Sequence, residues 1–426
     1  MRVLILGGNG FIGTAVARSL STRGLSVVAL ARDTTIAARR YPDIAWVKAD
    51  IAGLSRPDDW RSLLSGIDAV VNCAGALQDG PRDDVAAVQF SAMSALYRAA
   101  SSSLRMFVQI SARTDGAAGE NLFFATKRQA DAALRDSGQP FVILRPAVVI
   151  GRTAHGGSAL LRALAAFPLV TPLVFGESQM QFVSLDDVAD TVFDALSGNI
   201  PAGSDLDLAV PQTLSLAAAV AIHRQWLGLA PTPVLALPGI LARLTSGAAD
   251  LFGRLGWRSP LRSTALEVAA GGVTGHATGS GRSLRSLDET LAAYPAGVQD
   301  LWFARLYLLK PLVFATLCLF WLLSGTVALL RFDASAAHLV AAGTPKALAT
   351  SITLVTGLAD IALGLGVATR RYARPALNGM VALSIAYLAA ATVLSPSLWA
   401  DPLGPLVKVL PSIVLALVAL AILDER

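Results

Sequence analysis

The first 23 residues combine a short apolar run, a glycine-rich turn and a segment with helical periodicity. Val3–Leu6 leads directly into Gly7-Gly8-Asn9-Gly10-Phe11-Ile12-Gly13, and the helical pattern covers Thr14–Arg23. Glycines let a backbone approach phosphate groups closely, and the N–H groups and dipole of the following helix attract negative charge. This order of elements predicts a pyrophosphate cradle. The residues expected to contact the dinucleotide here are Gly7, Asn9, Gly10, Phe11, Ile12 and Gly13.

The N-terminal part of the chain continues with alternating strand and helix patterns. Such alternation predicts a parallel sheet with helices on both faces, in which ligands bind beyond the carboxyl ends of the strands. The predicted strands are Val3–Leu6, Ser26–Ala31, Ala45–Lys48, Ala69–Asn72, Met106–Ile110 and Phe141–Leu144. We therefore predict an α/β fold whose core, residues 1–150, is a Rossmann-type doubly wound parallel sheet.

Residues 151–300 show a less regular pattern, with several turn-rich pieces. A glycine-rich run over 271–281, which contains His276, predicts a loop. We expect this region to form a small substrate lobe that completes the N-terminal domain.

Four long apolar stretches follow Leu301. Hydrophobic residues make up 54% of the chain and charged residues 15%, but the apolar excess is concentrated in this part. The stretches are Pro311–Leu330, Leu348–Thr369, Ala376–Leu394 and Leu406–Leu423. Each is near the length of about 20 residues that a helix needs to cross a bilayer core. Residues 301–426 are therefore predicted to form an all-α four-helix transmembrane domain.

The basic residues around these stretches predict their orientation. Arg305 and Lys310 precede the first stretch, and Arg370, Arg371 and Arg374 lie between the second and third. Because basic loops stay on the cytoplasmic side, we expect a multi-pass protein of the cytoplasmic (inner) membrane, with the soluble domain and both termini in the cytoplasm. The net charge of +5 suits loops that face anionic lipid. No basic and aromatic stripe indicates nucleic acid, and the two cysteines form no metal motif, so neither ligand is expected.

Residues after the second, third and fourth predicted strands add to the cofactor site. Arg32 follows the second strand, and an arginine there suits the 2′-phosphate of NADP(H), whereas Asp33, one place later, would suit the ribose hydroxyl of NAD(H). We favour NADP(H) and keep NAD(H) as the alternative. Asp50 and Ile51 follow the third strand and are expected near the adenine. Ala74-Gly75 follows the fourth and is expected to line the cofactor.

These motifs together resemble those of the extended and atypical short-chain dehydrogenase/reductases. The matching residues are Gly7-x-x-Gly10-x-x-Gly13, Asp50-Ile51, Asn72-Cys73-Ala74-Gly75, Ser111, Lys127 and Leu144-Arg145-Pro146-Ala147. The resemblance covers about residues 1–300, and the segment 181–189 resembles one shared by epimerase-like members. It implies that Lys127 holds the nicotinamide ribose, that Ser111 orients the substrate oxygen, and that Pro146 contacts the cofactor. The C-terminal part resembles DoxX-like four-helix domains.

One catalytic residue of that family is missing. Active members use a Tyr-x-x-x-Lys pair, in which the lysine lowers the tyrosine pKa and the tyrosine transfers the proton. Here the tyrosine position holds Phe123, four residues before Lys127. Three hypotheses remain: Lys127, Ser111, Thr126 or water supplies the proton; an acceptor such as a quinone takes its proton from solvent; or the domain binds the cofactor without chemistry.

These observations lead to two predicted functions. The first is a membrane-anchored NADP(H)-dependent oxidoreductase that acts on a lipophilic acceptor such as a quinone or a lipid carbonyl. The second is a non-catalytic NADP(H)-binding scaffold or redox sensor of a membrane complex.

Asp360 is the one acidic residue within the apolar stretches. Ionisable groups inside membrane helices are costly and often functional. Proton uptake, contact with a polar substrate and hydrogen-bonded helix packing all remain open, with Asn378 as a candidate partner.

Overall fold

The computed structural model describes residues 1–81, 83–100, 104–113, 121–275 and 282–424. His276 lies outside the described residues. The chain divides into two compact units. The N-terminal unit comprises Met1–Asp250 and Ser259–Ala304, and the C-terminal unit comprises Leu251–Arg258 and the residues from Arg305 onward.

Seven parallel strands form the central sheet of the N-terminal unit. The strands of the described chain are β1 (Arg2–Leu6), β2 (Ser26–Ala31), β3 (Ala45–Lys48), β4 (Ala69–Asn72), β5 (Met106–Ile110), β6 (Phe141–Pro146), β7 (Val148–Ile150), β8 (Thr171–Leu173), β9 (Gln179–Met180), β10 (Phe182–Ser184), β11 (Ser204–Leu208), β12 (Leu214–Ser215) and β13 (Val234–Ala236). The order in the central sheet is β11-β6-β5-β4-β1-β2-β3. The six predicted strands are confirmed as β1 to β6. The seventh, β11, pairs with β6 at the edge and was not predicted.

Helices cover both faces of this sheet, which confirms the doubly wound α/β fold. The helices are α1 (Phe11–Thr22), α2 (Thr35–Arg40), α3 (Pro57–Leu64), α4 (Ala92–Ala99), α5 (Leu122–Asp136), α6 (Gly157–Ala165), α7 (Leu185–Leu196), α8 (Leu216–Trp226), α9 (Gly239–Arg254), α10 (Ser263–Gly271) and α11 (Leu287–Ala292). Successive side chains of a strand point to opposite faces. Val3 and Ile5 of β1 therefore share a core with α1 and α7, whereas Leu4 and Leu6 share one with α3, α4 and α5.

A third core lies beside the sheet, in the region predicted as a substrate lobe. Three short strand pairs frame it: β7 with β10 and β8 with β13 are parallel, and β9 with β12 is antiparallel. Ile150, Phe182, Val220 and Leu291 are buried together there, with α6, α8 and α11 supplying much of the packing.

His223 of α8 is fully buried in this lobe. Its Nδ1 lies 2.8 Å from the carbonyl oxygen of Ala219, so the neutral ring donates its proton there. The other ring nitrogen, Nε2, has no hydrogen-bond partner among the described residues. Burial disfavours the charged imidazolium and lowers the pKa of His223 from 6.5 to about 4.

Five helices follow in the C-terminal part of the chain: α12 (Val298–Leu330), α13 (Phe332–Ala341), α14 (Lys346–Ala368), α15 (Ala373–Leu394) and α16 (Val409–Ala421). In the described chain, α12, α14 and α15 are long and apolar enough to cross a membrane. The fourth predicted stretch differs, because α16 has only 13 residues and Leu406–Lys408 form turns before it. Pro411 occupies the first turn of α16, where a helix needs no N–H donor.

Close packing and one polar cluster join the long helices of the C-terminal unit. A Cβ built on Gly325 of α12 would lie 2.5 Å from the carbonyl oxygen of Gly357 on α14, so glycine is required for this approach. Asp360 is buried and accepts hydrogen bonds from Ser324 Oγ (3.0 Å) and Tyr387 Oη (2.9 Å). It thereby links α12, α14 and α15. The sequence suggested Asn378 as the partner of Asp360, but Asn378 is exposed and Tyr387 is the partner on α15.

The buried imidazole predicts an acid-sensitive lobe. The unfolded chain binds a proton at His223 near pH 6.5, whereas the folded chain does so only near pH 4. Stability is therefore full above pH 6.5 and falls as the pH is lowered toward 4, by about 3 kcal/mol from this group. Denaturant unfolding between those pH values measures the loss. His223→Phe should remove most of it, and His338→Gln, at an exposed histidine of α13, should leave it unchanged; equal pH dependence of both variants would contradict the assignment.

Candidate functional site

The glycine loop between β1 and α1 is packed too tightly for side chains. Gly7 has φ +69°, a conformation that L side chains rarely adopt, and a Cβ at Gly13 would lie 2.2 Å from the carbonyl oxygen of Gly7. A Cβ at Gly8 would lie 2.6 Å from that of Ala29 on β2. The glycines therefore let the helix start directly against the strand ends.

The start of α1 can receive an anion. Gly10 precedes Phe11, the first helical residue, and offers no capping side chain, and the first turn contains no acidic residue. Free N–H groups and the positive end of the helix dipole favour negative charge at this point. The Phe11 ring lies 5.9 Å from that of His155, and Ile12 packs against the core. The loop thus fits the pyrophosphate of a dinucleotide.

The segment after β2 holds Arg32 and Asp33, the two residues on which the predicted cofactor preference depends. Arg32 Nη2 forms an ion pair with Asp83 Oδ1 at 2.8 Å, and its side chain stays partly exposed. The Asp33 carboxylate accepts the Thr35 N–H at 2.9 Å, and this bond lowers the pKa of Asp33. Asn9 Nδ2 donates to the Asp33 carbonyl oxygen at 3.1 Å and joins the glycine loop to this segment. The Asp33 carboxylate therefore accepts a hydrogen bond within its own turn, and the Arg32 guanidinium is the charged group that extends from this segment.

After β3 and at the end of β4, a side-chain oxygen accepts a hydrogen bond from the backbone N–H two residues later. Asp50 Oδ1 accepts the Ala52 N–H at 3.2 Å and caps a short 3-10 helix in which Ile51 is buried. Asn72 Oδ1 accepts the Ala74 N–H at 2.9 Å, so the turn that leads into Gly75 has a fixed direction.

Lys127 lies with its ammonium in the interior, where only 5% of the residue is exposed. Its Nζ donates to the carbonyl oxygens of Ile110 (2.9 Å) and Ala74 (3.4 Å), at the carboxyl ends of β5 and β4. A Cβ at Gly75 would lie 3.6 Å from this nitrogen. Burial lowers the pKa of Lys127, while the charge of Asp131 acts against that shift.

Ser111 and Lys127 are brought to the same edge of the sheet, but the serine hydroxyl has a protein partner. Ser111 Oγ donates to Asp131 Oδ2 at 2.7 Å, and Arg145 Nη2 lies 3.1 Å from the same oxygen. Asp131 is 1% exposed, and its Oδ1 has no hydrogen-bond partner in the described parts of the chain. Burial raises the pKa of Asp131, although the bonds to Ser111 and Arg145 oppose the shift.

Sequence reasoning missed Asp131. The one sequence feature that could have identified Asp131 is its position four residues after Lys127, which places both side chains on the same face of α5.

The hydroxyl groups of Thr126 and Tyr97 also have protein partners, and Phe123 has no hydroxyl group. Phe123 is half-buried on the first turns of α5, with its ring 5.0 Å from that of Phe124. Thr126 Oγ1 lies 2.8 Å from the carbonyl oxygen of Leu122. Tyr97 is buried on α4 and donates to Gln109 Oε1 at 3.3 Å, so its phenol does not replace the missing tyrosine.

Pro146 ends β6, in register with Leu208 of β11. Across the described residues, no group of three or more His, Cys, Asp or Glu side chains has an arrangement that could hold a metal ion.

Comparison with known proteins finds similarity in both parts of the chain. Residues 7–198 match a family model described as NAD(P)H-binding, and residues 318–417 match the DoxX-like family. An uncharacterised chloroplastic protein of Arabidopsis thaliana is 28% identical over 178 residues, which are 39% of this chain and 57% of that protein. The chain spans between a third and three fifths of the length of the curated relatives it matches.

Solved structures show the same N-terminal fold. A nucleoside-diphosphate-sugar epimerase from Staphylococcus aureus aligns with a TM-score of 0.52 at 14% identity, over 68% of this chain and 99% of that one. MoeE5, solved with UDP-glucose and NAD, aligns with a TM-score of 0.51 at 17% identity, over 72% of this chain and 100% of that one. The resemblance read from the sequence agrees with these findings: the chain joins a segment that matches an NAD(P)H-binding family model, with the fold of these solved structures, to a C-terminal segment with apolar helices that matches the DoxX-like family.

Proposed function

We propose that this chain is a membrane-anchored, NADP(H)-dependent oxidoreductase that reduces a lipophilic acceptor such as a quinone or a lipid carbonyl. The observation that carries the proposal is the buried ammonium of Lys127, held between the ends of β4 and β5. A buried charge is costly unless it is hydrogen-bonded. Its position next to Ala74, which borders the glycine loop, in a domain without the usual tyrosine, supports a role in the reaction.

We propose the following contacts for NADP(H). Arg32 would bind the 2′-phosphate, because 43% of its side chain is exposed despite the ion pair with Asp83, while the Asp33 carboxylate accepts a hydrogen bond within its own turn. Lys127 would hold the nicotinamide ribose. When bound, the nicotinamide supplies the hydride. The remaining contacts follow the order of the strands: Gly7, Asn9, Gly10, Phe11, Ile12 and Gly13 at the pyrophosphate, Asp50 and Ile51 at the adenine, and Ala74, Gly75 and Pro146 along the cofactor.

The hydrogen bonds of the site reduce the number of groups that can give a proton to the substrate. Ser111 donates to Asp131, and the Thr126 hydroxyl lies against the Leu122 carbonyl. Phe123 has no exchangeable proton. Lys127 remains, with a pKa lowered by burial that makes its ammonium a better acid. We propose that Lys127 or solvent delivers the proton, and that Ser111 orients the acceptor oxygen only after its hydroxyl turns from Asp131.

Basic residues at one end of the C-terminal unit support a cytoplasmic orientation for that end. Lys310 Nζ and Arg370 Nη2 both donate to the carbonyl oxygen of Leu423, at 3.3 and 3.2 Å. Arg374 pairs with Asp424 at 2.7 Å. The start of the apolar part of α12, the α14–α15 loop and the segment after α16 therefore meet. By the positive-inside rule, we propose that this end, the N-terminal domain and both termini face the cytoplasm of a multi-pass inner-membrane protein.

A second function has specific support. Phe123 removes the proton donor, and the Ser111–Asp131 contact occupies the hydroxyl that would face a substrate. Both features suit a non-catalytic NADP(H)-binding scaffold or redox sensor within a membrane complex.

Gly13→Ala should disrupt dinucleotide binding, because the added methyl group would lie 2.2 Å from the Gly7 carbonyl oxygen. We expect NADPH affinity to fall at least about tenfold, measured by fluorescence titration of the detergent-purified chain. Gly239→Ala is the matched control, since no described atom lies within 4 Å of a Cβ there. Unchanged affinity in the Gly13 variant would contradict the cradle.

The wild-type chain should bind NADPH more tightly than NADH, and Arg32→Ser should remove that preference. We expect about a tenfold or larger loss for NADPH and little change for NADH, because only NADPH carries the 2′-phosphate. Arg39→Ser alters an exposed arginine of the neighbouring α2 and should have no effect. Equal wild-type affinity for the two cofactors would refute the role of Arg32.

Lys127→Met keeps most of the side-chain stem and removes the ammonium. The rate of NADPH oxidation by a panel of quinones and lipid carbonyls should fall by about 100-fold or more. The rate is measured as the loss of NADPH absorbance. Arg128→Met changes the adjacent exposed cation and serves as the control.

If wild-type protein binds NADPH but no acceptor in the panel oxidises it, the scaffold function is correct. Phe123→Tyr then shows whether the missing phenol was the only defect, since restored turnover with carbonyl acceptors would require the rest of the site to be intact.

A further inference from the structure

Helix α9 carries its large apolar side chains on the outside. Ile240 is 64% exposed and Leu244 is 65% exposed, and Leu241, Leu251 and Phe252 are also exposed. The inner face consists of small residues, with Ala242, Ser246 and Gly253 buried. This is the reverse of the usual pattern, in which the apolar stripe of a helix faces the core.

The exposed side chains form one continuous stripe. At 3.6 residues per turn, Ile240, Leu244 and Leu251 lie along a single line, and Leu241 and Phe252 lie beside it. Val234 and Leu235 of β13, just before the helix, are exposed as well. Contiguous apolar surface of this kind marks an interaction site.

The charges of α9 complement an anionic surface. Arg243 and Arg254 are exposed. The single carboxylate of the helix, Asp250, pairs with Arg262 Nε at 2.9 Å, so its charge is compensated. An apolar stripe bordered by arginines is the composition of helices that lie in the interface of a bilayer.

The C-terminal end of α9 is held at the end of α14, a helix long enough to cross a membrane. This position indicates that lipid headgroups cover the exposed face of α9. Leu251–Arg258 belongs to the C-terminal unit. Trp257 Nε1 donates to the carbonyl oxygen of Ala368, the last residue of α14, at 2.7 Å. The Arg370 N–H donates to the Leu255 carbonyl oxygen at 3.0 Å. Tryptophan and arginine at the end of a membrane helix mark the headgroup level.

We propose that the exposed face of α9, defined by Ile240, Leu241, Leu244, Leu251 and Phe252, lies in the headgroup region of the bilayer. The inference is independent of any catalytic activity. It assigns a lipid-binding surface to a helix that precedes the long apolar segments and is itself too short and too mixed to cross a membrane.

Spin labelling of the full-length chain tests this surface. Ile240→Cys and Leu244→Cys are labelled separately in a Cys73→Ala, Cys318→Ala background and reconstituted in phosphatidylethanolamine and phosphatidylglycerol vesicles. Ile36→Cys, on α2, is the aqueous control because Ile36 is 57% exposed, and Leu319→Cys, exposed on α12, is the lipid control. Oxygen partitions into lipid and a nickel chelate stays in water, so the ratio of the two accessibilities reports depth.

We expect the ratio at 240 and 244 to lie between those at 36 and 319. A ratio equal to that at 36 would overturn the proposal, since the face would then contact water. Low accessibility to both reagents would overturn it as well, because protein, such as a second copy of the chain, would then cover the face. Leu241→Cys and Phe252→Cys provide a second pair of labels if either first variant is recovered in low yield.

Discussion

The arrangement of the N-terminal site depends on the buried ammonium of Lys127. It connects α5 to the ends of two neighbouring strands through the carbonyl oxygens of Ile110 and Ala74. A charge in the interior is tolerated only when such partners are present. The register of α5 against the sheet and the path of the chain through Gly75 are therefore fixed together. Any chemistry at this edge takes place beside a cation that also connects α5 to the sheet.

Local patterns predicted most of the sheet, because buried parallel strands appear in the sequence as short apolar runs. β1 to β6 were found within two residues of their bounds, whereas β11 was missed. Its sequence, Ser204–Leu208, contains Asp205 and Asp207, residues that strands disfavour. In the folded chain Asp205 pairs with Arg145, and Asp207 pairs with Arg113 at 2.9 Å. Strand pairing and ion pairs between distant segments override the local preference.

The same limit applies to the site. The glycine loop was predictable because its conformation requires glycine at several closely spaced positions, Gly7, Gly8, Gly10 and Gly13. The partner of Arg32 was not, since Asp83 lies 51 residues away in the sequence. The Ser111–Asp131 bond likewise depends on how α5 lies against β5, which no spacing within either element reports. Sequence therefore predicted which residues gather at the strand ends, but not which of them are already paired.

These pairings bear on the kind of acceptor that the site can serve. Hydride addition to a carbonyl creates an alkoxide, which needs an acid within the site. Phe123 offers none, the Ser111 hydroxyl is directed to Asp131, and the Lys127 ammonium, the one acid that remains, already donates to two backbone carbonyl oxygens. A quinone that gains hydride becomes a delocalised phenolate, which takes its proton from water without an enzymatic acid. Lys127, with a lowered pKa and a positive charge when protonated, would stabilise that anion as it forms. The presence of Lys127 and the absence of a phenol are thus compatible with the proposed oxidoreductase when the acceptor stabilises its own negative charge, and within that proposal a quinone is favoured over a lipid carbonyl.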